Sequence, residues 1–189
     1  MRLEKIHKRE RILYSAAHIF SSQKYSDVLI EDIAKKAKIG KGTVYLYFKN
    51  KDELYLETLL FGMLHLMNEV RKIIESEKDA HDKLQKIISK MWSFFRFKKP
   101  IFLLVNKEPH ELRLAARQKW KLRREELIQL ISRVIIQGQK EKIYKDFDAL
   151  VLSEMVLGLV RGIVKTGKAR ENIDVLFEVL YKGIKKCGN

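Results

Sequence analysis

The sequence contains few residues that cross-link or interrupt a chain. Its 189 residues include one cysteine, Cys187, and two prolines, Pro100 and Pro109. A single cysteine cannot form a disulfide within the chain, which indicates a reducing compartment. With so few prolines, long helices can continue without a break. No apolar run reaches the roughly 18 residues that span a membrane, and the N-terminal MRLEKIHKRER has no apolar signal-peptide core. We therefore expect a cytoplasmic protein without membrane contact.

Motifs for catalysis and metal binding are also missing from the sequence. The five histidines are scattered, without companion cysteines or close carboxylates, and no glycine-rich phosphate loop is present. A helical enzyme would need a polar catalytic cluster, and the sequence shows none. We therefore expect no catalytic residues, no metal and no cofactor.

Positive charge is the property that the chain has in excess. It carries 39 Lys and Arg against 24 Asp and Glu, a net charge of +15. Residues 1–51 hold twelve of these basic residues and five of the acidic ones, so nearly half of the excess lies in the first quarter. This distribution favours an anionic partner such as nucleic acid, although lysine-rich faces are often merely solvated.

Apolar residues recur at helical spacing along the whole chain, and no strand pattern is visible. The spacing predicts helices over about 4–22, 30–37, 43–48, 51–74, 82–98 and 111–142, a short apolar segment at 101–105, and two C-terminal helices. We expect an all-α fold of about nine helices. A helix-turn-helix DNA-binding domain would occupy residues 1–50, and a larger ligand-binding and dimerisation domain residues 51–189.

The stretch GKGTVYLYFKNKDEL, residues 40–54, combines lysines with large aromatic side chains. A core would exclude the lysines, and a solvated face would not need the aromatics. The spacing turns Ala34, Ile39 and Val44 inward, in the manner of a helix-turn-helix. This leaves Lys41 and Tyr45 on the outer surface, facing a DNA major groove. A solvated basic helix with incidental tyrosines is the alternative.

Each outward residue has a contact that suits its chemistry. Lys41 can donate to guanine O6 or N7, and Thr43 can reach a phosphate or a thymine methyl group. The hydroxyl groups of Tyr45 and Tyr47 can donate to phosphate oxygens. Lys51 and the free N–H groups of the next helix would clamp a phosphate. Phe48 is expected to turn inward, and Asn50 with Glu53 forms an N-terminal capping box.

The stretch IEDIAKKAKIGKGTVYLYFKNKDEL resembles the N-terminal signature of the tetracycline-repressor (TetR) family, over residues 9–55. The resemblance implies a homodimeric repressor that binds a palindromic operator, with a body that binds a small-molecule effector. It also implies the DNA-contacting residues Lys41, Gly42, Thr43, Tyr45, Tyr47 and Lys51.

The sequence departs from the family pattern at four places. Lys24 and Lys38 stand where the family has glycine; a non-glycine residue in a left-handed conformation there costs about 1 kcal/mol. Val28-Leu29 replaces a Ser/Thr pair before the second helix, which removes a hydroxyl cap and a phosphate contact. Gly40 replaces the usual serine cap of the third helix, which is a small loss.

The body contains two sets of candidate residues. Large adaptable side chains are candidates for a ligand cavity, although plain core is the commoner role of such residues: Leu64, Met67, Trp92, Phe95, Phe102, Trp120 and Met155. The last two helices are apolar on most sides, which favours a two-fold four-helix dimer interface over packing within the subunit. Its candidate residues are Met155, Leu159, Gly162, Ile163, Ile173, Phe177 and Leu180.

The basic run from Arg113 to Arg124 is open to two interpretations, a solvated helix face or a contact with an effector that has an anionic head group. The hypothesis for the whole chain is a transcriptional repressor that an apolar or anionic small molecule releases from its operator. The alternative is a helical DNA-binding protein with a structural role and no effector. The repressor hypothesis predicts a strong preference for a palindrome, whereas the structural role predicts little sequence preference.

Overall fold

The computed structural model describes residues 2–97, 100, 114–166 and 173–186. Throughout these ranges the regular structure is helical, apart from one isolated bridge between Tyr144 and Lys185. Eight helices are described, which confirms the all-α fold; the predicted short segment at 101–105 lies outside the described residues. The helices are α1 (Arg2–Ser22), α2 (Ile30–Lys36), α3 (Lys41–Tyr45), α4 (Lys51–Ser76), α5 (Ala80–Phe97), α6 (Leu114–Lys140), α7 (Ala149–Thr166) and α8 (Ile173–Ile184).

The chain forms two compact units, one of residues 1–64 and 98–123, the other of residues 65–97 and 124–189. Helices α4 and α6 each contribute to both units. We call residues 2–64 the head, and residues 65–97, 124–166 and 173–186 the body. The predicted domain boundary after Asn50 falls between α3 and α4, whereas the head also includes the first half of α4.

The core of the head forms where α1, α2 and α3 pack together. Ala34, Val44 and Phe48 are buried, as their spacing predicts, and Ile39 is half-buried. Other fully buried side chains of this core are Ile12, Leu13, Phe20, Ile33 and Leu54. Because the core uses these positions, the other side chains of α3 are turned away from it.

The turn between α2 and α3 follows a Schellman motif. The Ile39 N–H donates to the Ala34 carbonyl at 3.0 Å, and the Lys38 N–H donates to the Lys35 carbonyl at 3.1 Å. Lys38 has a φ of 54°, so it adopts the left-handed conformation that the family pattern assigns to glycine. Arg11 donates to the Ala37 carbonyl at 2.5 Å and so secures this turn from α1.

Lys24, the other residue that stands where the family pattern has glycine, does not adopt a left-handed conformation. Among the described residues, positive φ values at non-glycine positions occur at Lys38 and Lys142. The chain after α1 therefore turns without a left-handed residue at Lys24. The strain expected from the missing glycine applies to Lys38 and not to Lys24.

Helix α3 begins two residues earlier than predicted. Gly40 is its N-cap, and the Thr43 N–H donates to the Gly40 carbonyl at 3.0 Å. The regular helix ends at Tyr45. Beyond it, the N–H groups of Tyr47 and Phe48 both donate to the Val44 carbonyl at 3.0 Å, so the chain still turns helically.

The body is built around contacts between α5 and the helices α7 and α8, with α6 beside them. Its buried side chains come from all four helices and from the second half of α4: Met67, Val70, Leu84, Ile87, Ile88, Met91, Phe95, Leu127, Ile131, Val134, Ile135, Val156, Val160, Phe177, Leu180 and Ile184. None of the described helices combines the length and the apolar composition needed to cross a membrane.

Candidate nucleic-acid interface and body surfaces

Side-chain capping sets the entry into α4. The Glu53 N–H donates to Asn50 Oδ1 at 2.8 Å, and Glu53 Oε2 accepts from the Lys49 N–H at 2.5 Å. The predicted capping box is thus confirmed, with its reciprocal bond displaced by one residue, from Asn50 to Lys49. These two bonds hold the end of the segment that joins α3 to α4.

The predicted DNA-contacting residues of α3 lie on its outer side. Lys41, Gly42 and Tyr45 are exposed, and Thr43 and Tyr47 are partly exposed. Together they bring a cation, three hydroxyl groups and two aromatic rings to one surface. This combination suits phosphate and base-edge contacts, because the hydroxyls and the ammonium donate while the rings pack on sugars.

Gly42 has no structural reason within the head to be a glycine. A Cβ at this position would meet no heavy atom within 4 Å, and its φ is not in the left-handed region. Glycine nevertheless costs up to about 1 kcal/mol relative to alanine inside a helix. At the exposed start of α3, glycine leaves room for another backbone to approach closely.

The side chain of Lys51 is engaged within the head. Its ammonium donates to the carbonyls of Tyr25, Ser26 and Val28 at 2.8, 3.2 and 3.1 Å, and lies 4.6 Å from the centre of the Tyr25 ring. The three donors of an ammonium group are thereby used. Lys51 thus holds the α1–α2 turn against the start of α4. A phosphate at this end of α4 would meet the N–H groups of Lys51 and Asp52, since the N–H of Glu53 is capped by Asn50.

Lys41 also has a partner in the head. Its ammonium donates to Glu31 Oε1 in the first turn of α2, and both side chains are about half-exposed. The hydrogen bond from Lys41 lowers the pKa of Glu31 below its ordinary value, and the same bond raises the pKa of Lys41. Sequence reasoning missed Glu31, because the two residues are ten positions apart on different helices.

Two exposed leucines on the head were also missed. Leu46, directly after α3, is 82% exposed, and Leu29, the N-cap of α2, is 57% exposed. No side-chain bond caps α2 at Leu29, which agrees with the cap loss expected from Val28-Leu29. Exposed apolar side chains beside the tyrosines of α3 can contact thymine methyl groups.

The candidate ligand residues differ in their burial. Met67 and Phe95 are buried in the body core, while Trp92 is half-buried with the Arg96 guanidinium 4.9 Å from its ring. Met155 is 54% exposed on α7, away from that core. Of the remaining candidates, Leu64 and Trp120 belong to the first unit, and Phe102 lies outside the described residues.

Helices α7 and α8 form an apolar groove of about 660 Å³ on the body. Met155, Leu159, Ile163 and Leu180, four of the predicted dimer residues, line it. Three exposed valines that sequence reasoning missed line it as well: Val151, Val175 and Val179. The groove is therefore a continuous apolar surface of the single chain.

The other predicted dimer residues differ in their exposure. Gly162 is exposed and Ile173 is half-buried. Phe177 is buried, because its ring stacks on Tyr181 at 5.8 Å and meets His81 at 5.1 Å. Phe177 thus packs within the chain, although it shares a helix with the exposed Val175 and Val179.

Glycines on α7 mark a surface that can be approached closely. A Cβ on Gly158 or on Gly162 would meet no heavy atom within 4 Å. Both glycines lie in the interior of a helix, where alanine would be more stable by up to about 1 kcal/mol. Small residues four apart on an exposed helix allow a second helix to pack closely against it.

Comparison with known proteins identifies relatives of both units. The model of the bacterial regulatory proteins of the tetR family matches residues 12–58. The fatty acid metabolism regulator protein of Bacillus subtilis (strain 168) is 24% identical over 160 residues, which cover 84% of this chain and 82% of that protein.

Two solved structures have the same arrangement of helices. The TetR family regulator PfmR from Thermus thermophilus has a TM-score of 0.81 at 19% identity, covering 95% of this chain and 98% of that one. FadR from Bacillus subtilis, in complex with stearoyl-CoA, has a TM-score of 0.76 at 22% identity, covering 92% and 95%. At these identities the likeness establishes a shared fold.

Proposed function

We propose that this chain, a DNA-binding transcriptional regulator of the TetR family, is a cytoplasmic homodimeric repressor that a small molecule releases from a palindromic operator. The observation that carries the proposal is the outer side of α3. Lys41, Thr43 and Tyr45 lie there on a head whose core holds Val44 and Phe48. A rigid short helix with donors on its free side fits the major groove.

The contacts proposed for DNA divide into two kinds. Lys41 and Thr43, at the leading end of α3, contact base edges, and the hydroxyl groups of Tyr45 and Tyr47 donate to phosphates. Gly42 allows a phosphate of the backbone to approach α3 closely. At α4, the first backbone N–H groups bind a phosphate, while the Lys51 side chain positions them by holding the α1–α2 turn.

The apolar groove of α7 and α8 supports a homodimer. Met155 and Leu159 are exposed there, and Gly162 leaves room for a neighbouring helix. A second copy would cover the same surface by two-fold symmetry, which gives a four-helix interface. A two-fold dimer presents two heads to two half-sites, which matches a palindromic operator. In this assignment Met155 belongs to the interface rather than to the ligand site.

For the effector, we propose an amphiphile with a long apolar chain and an anionic head group, of the class of acyl-CoA thioesters. Two comparisons support this class: the fatty acid metabolism regulator protein of Bacillus subtilis is similar in sequence, and the structure of FadR from the same species is in complex with stearoyl-CoA. Met67, Trp92 and Phe95 of the body supply apolar surface for the chain.

Helix α4 supports a coupling between effector and operator, because it continues without interruption from Lys51 to Ser76 and contributes to both units. An effector that binds the body and displaces α4 would change the position of the capped N-terminus that contacts phosphate. Effector and operator would then oppose each other by one coupling free energy, typically about 1–3 kcal/mol.

Selection of bound duplexes from a random DNA pool tests the repressor function. The expected result is a palindrome with two half-sites about one helical turn apart, whose binding weakens steeply as salt rises. Stearoyl-CoA, added to the complex with the selected duplex, should release it, while free CoA at the same concentration should not. A pool that shows no sequence preference would contradict the repressor and favour a structural DNA-binding role.

A further inference from the structure

An ion pair at the leading end of α3 links the two helices of the helix-turn-helix. Lys41 is the first residue of α3, and Glu31 is the second residue of α2. The ammonium of Lys41 donates to Glu31 Oε1, with 50% and 54% of the two side chains exposed. The pair therefore stands at the surface that the head presents to DNA.

This ion pair is not needed to hold the head together. Ion pairs between exposed side chains contribute little to stability, typically between 0 and 1 kcal/mol, because water screens them. The α2–α3 turn is already held by the Schellman bonds of Lys38 and Ile39, and Arg11 donates to its Ala37 carbonyl. Packing of Ile33 and Val44 in the core holds the two helices as well. These hydrogen bonds and this packing hold the turn independently of the ion pair between Lys41 and Glu31.

A carboxylate on this surface weakens binding to DNA unless a hydrogen-bond donor of a base lies opposite it. Phosphates repel Glu31 and so weaken binding to DNA of any sequence. Among the groups on the major-groove edges of the bases, the amino groups of cytosine (N4) and adenine (N6) donate hydrogen bonds. The Glu31 carboxylate, held beside the start of α3 by Lys41, is therefore compatible with tight DNA binding where one of these amino groups lies opposite it.

The position of Lys41 beside Glu31 favours cytosine over adenine, because an A·T pair offers an ammonium one acceptor on either side of the amino group, whereas a G·C pair offers two adjacent ones. An ammonium is best placed opposite guanine, which offers O6 and N7 as two adjacent acceptors. The partner of guanine is cytosine, and its N4 amino group lies beside guanine O6 on the same groove edge. A donor and an acceptor held side by side, as in this ion pair, are complementary to that edge.

We propose that Glu31 and Lys41 act as one specificity-determining unit that reads a G·C base pair in each operator half-site. Lys41 donates to guanine O6 and N7, and Glu31 accepts from cytosine N4. The inference rests on the proposed function, since it assigns to the same surface of α3 a particular base pair. Glu31 would also reject other sequences. Where the G·C pair is absent, no amino group faces its carboxylate, and the phosphates repel the negative charge.

Duplex selection with four proteins in parallel tests this inference: the unchanged chain, Glu31→Gln, Lys41→Gln and the control Asp32→Asn. Asp32 is the next residue of α2, so Asp32→Asn removes one negative charge from the same helical turn. Any general effect of charge on DNA affinity will therefore appear in both acidic variants. Thermal unfolding of each protein verifies that the head remains folded.

The unchanged chain and Asp32→Asn should select the same palindrome, with a G·C pair at one equivalent position in each half-site. Glu31→Gln and Lys41→Gln should lose the preference at that position and keep it at the others. Replacing that G·C pair by A·T should weaken binding of the unchanged chain by roughly 5- to 100-fold, and weaken binding of Glu31→Gln by less than threefold.

The outcomes separate this inference from the proposed function. A palindrome whose base preferences are identical for the unchanged chain and Glu31→Gln overturns the paired reading and leaves the repressor function intact. An A·T pair at the position that Glu31→Gln alters also overturns it. Absence of any palindrome with the unchanged chain overturns both proposals.

Discussion

The ring of Tyr144 occupies the space that a side chain on Gly138 would need. A Cβ on Gly138 would lie 2.2 Å from Cδ2 of that ring, and such a distance requires a shift of one of them. The Tyr144 hydroxyl donates to the Ala80 carbonyl at 3.1 Å, and Glu141 Oε2 accepts from the Ala80 N–H at 3.1 Å. Gly138 thus allows the segment that follows α6 to bind the start of α5.

Gly138→Ala should therefore lower the free energy of unfolding by about 1–3 kcal/mol, the usual cost of overpacking. At an ordinary glycine within a helix, replacement by alanine raises the free energy of unfolding, so the effect predicted here has the opposite sign. Urea denaturation at fixed protein concentration measures the change. In a Tyr144→Ala background the cost of Gly138→Ala should shrink markedly, and an equal cost in both backgrounds would contradict the assigned clash.

Gly42→Ala should separate folding from DNA binding. Since a Cβ at this position would contact nothing in the head, the variant should unfold at the same temperature as the unchanged chain or slightly above it. Operator affinity should fall at least tenfold, because the added methyl group prevents close approach of the DNA backbone. The measurements are thermal unfolding and titration of labelled operator; unchanged affinity would show that no backbone approaches there.

Lys51→Met should affect stability as well as binding. The change removes the donor to the Tyr25, Ser26 and Val28 carbonyls, which should cost about 1–2 kcal/mol. Lys49→Met is the matched control, because it removes the same charge two residues earlier from an exposed side chain. Chemical denaturation of both variants checks the prediction, and equal stabilities would mean that the carbonyl contacts contribute nothing.

Val179→Lys should produce a monomer. Val179 is 69% exposed and lines the groove of α7 and α8, where a buried ammonium would prevent association. Ile136→Lys makes a similar change at an exposed aliphatic side chain of α6 outside that groove, and it should leave the dimer intact. Sedimentation velocity at the same concentration distinguishes the two; a dimeric Val179→Lys would place the interface elsewhere.

Glu69 should make the stability of the body depend on acid pH. Hydrogen bonds from Lys72 and Lys90 lower the pKa of Glu69 from 4.5 to about 2. The stabilisation is complete above pH 4.5 and is lost as the pH falls from 4.5 to 2, because protonation removes the ion pairs. Its size is at most about 1 kcal/mol, since water screens exposed pairs.

The variant for this test is Glu69→Gln, with Glu75→Gln on the same helix as its control. Glu69→Gln should be less stable than the unchanged chain at neutral pH, and the difference should vanish near pH 2. Urea denaturation as a function of pH measures both curves. A difference that stays constant throughout the acid range would argue against the ion pairs as its cause.

Features that depend on residues close together in the sequence could be predicted from the sequence alone. The amphipathic spacing located the helices to within a few residues, and the Asn50–Glu53 cap formed because its partners are three residues apart. The inward positions of Val44 and Phe48 followed from the same short-range periodicity. The resemblance to the family marked Lys24 and Lys38 as positions of glycine, and of the two Lys38 takes the left-handed conformation.

Features that depend on distant partners were not predictable. Lys51 was expected to contact phosphate, but its ammonium binds Tyr25, which is 26 residues away in the sequence. Phe177 and Val179 have the same apolar character on one helix, yet Phe177 is buried and Val179 is exposed. The difference arises because His81, from another helix, reaches Phe177.

By itself, the sequence determined the succession of helices, the helix-turn-helix and the outward side of α3, because periodicity and capping act over a single helical turn. The tertiary structure alone decided which outward side chains remain available. Pairing of Lys41 with Glu31 and engagement of Lys51 by the α1–α2 turn both require segments that packing brings together. The sequence also indicated that α7 and α8 are apolar on most sides, but packing in the body core decided which of their apolar side chains are buried, such as Phe177, and which stay exposed, such as Val179.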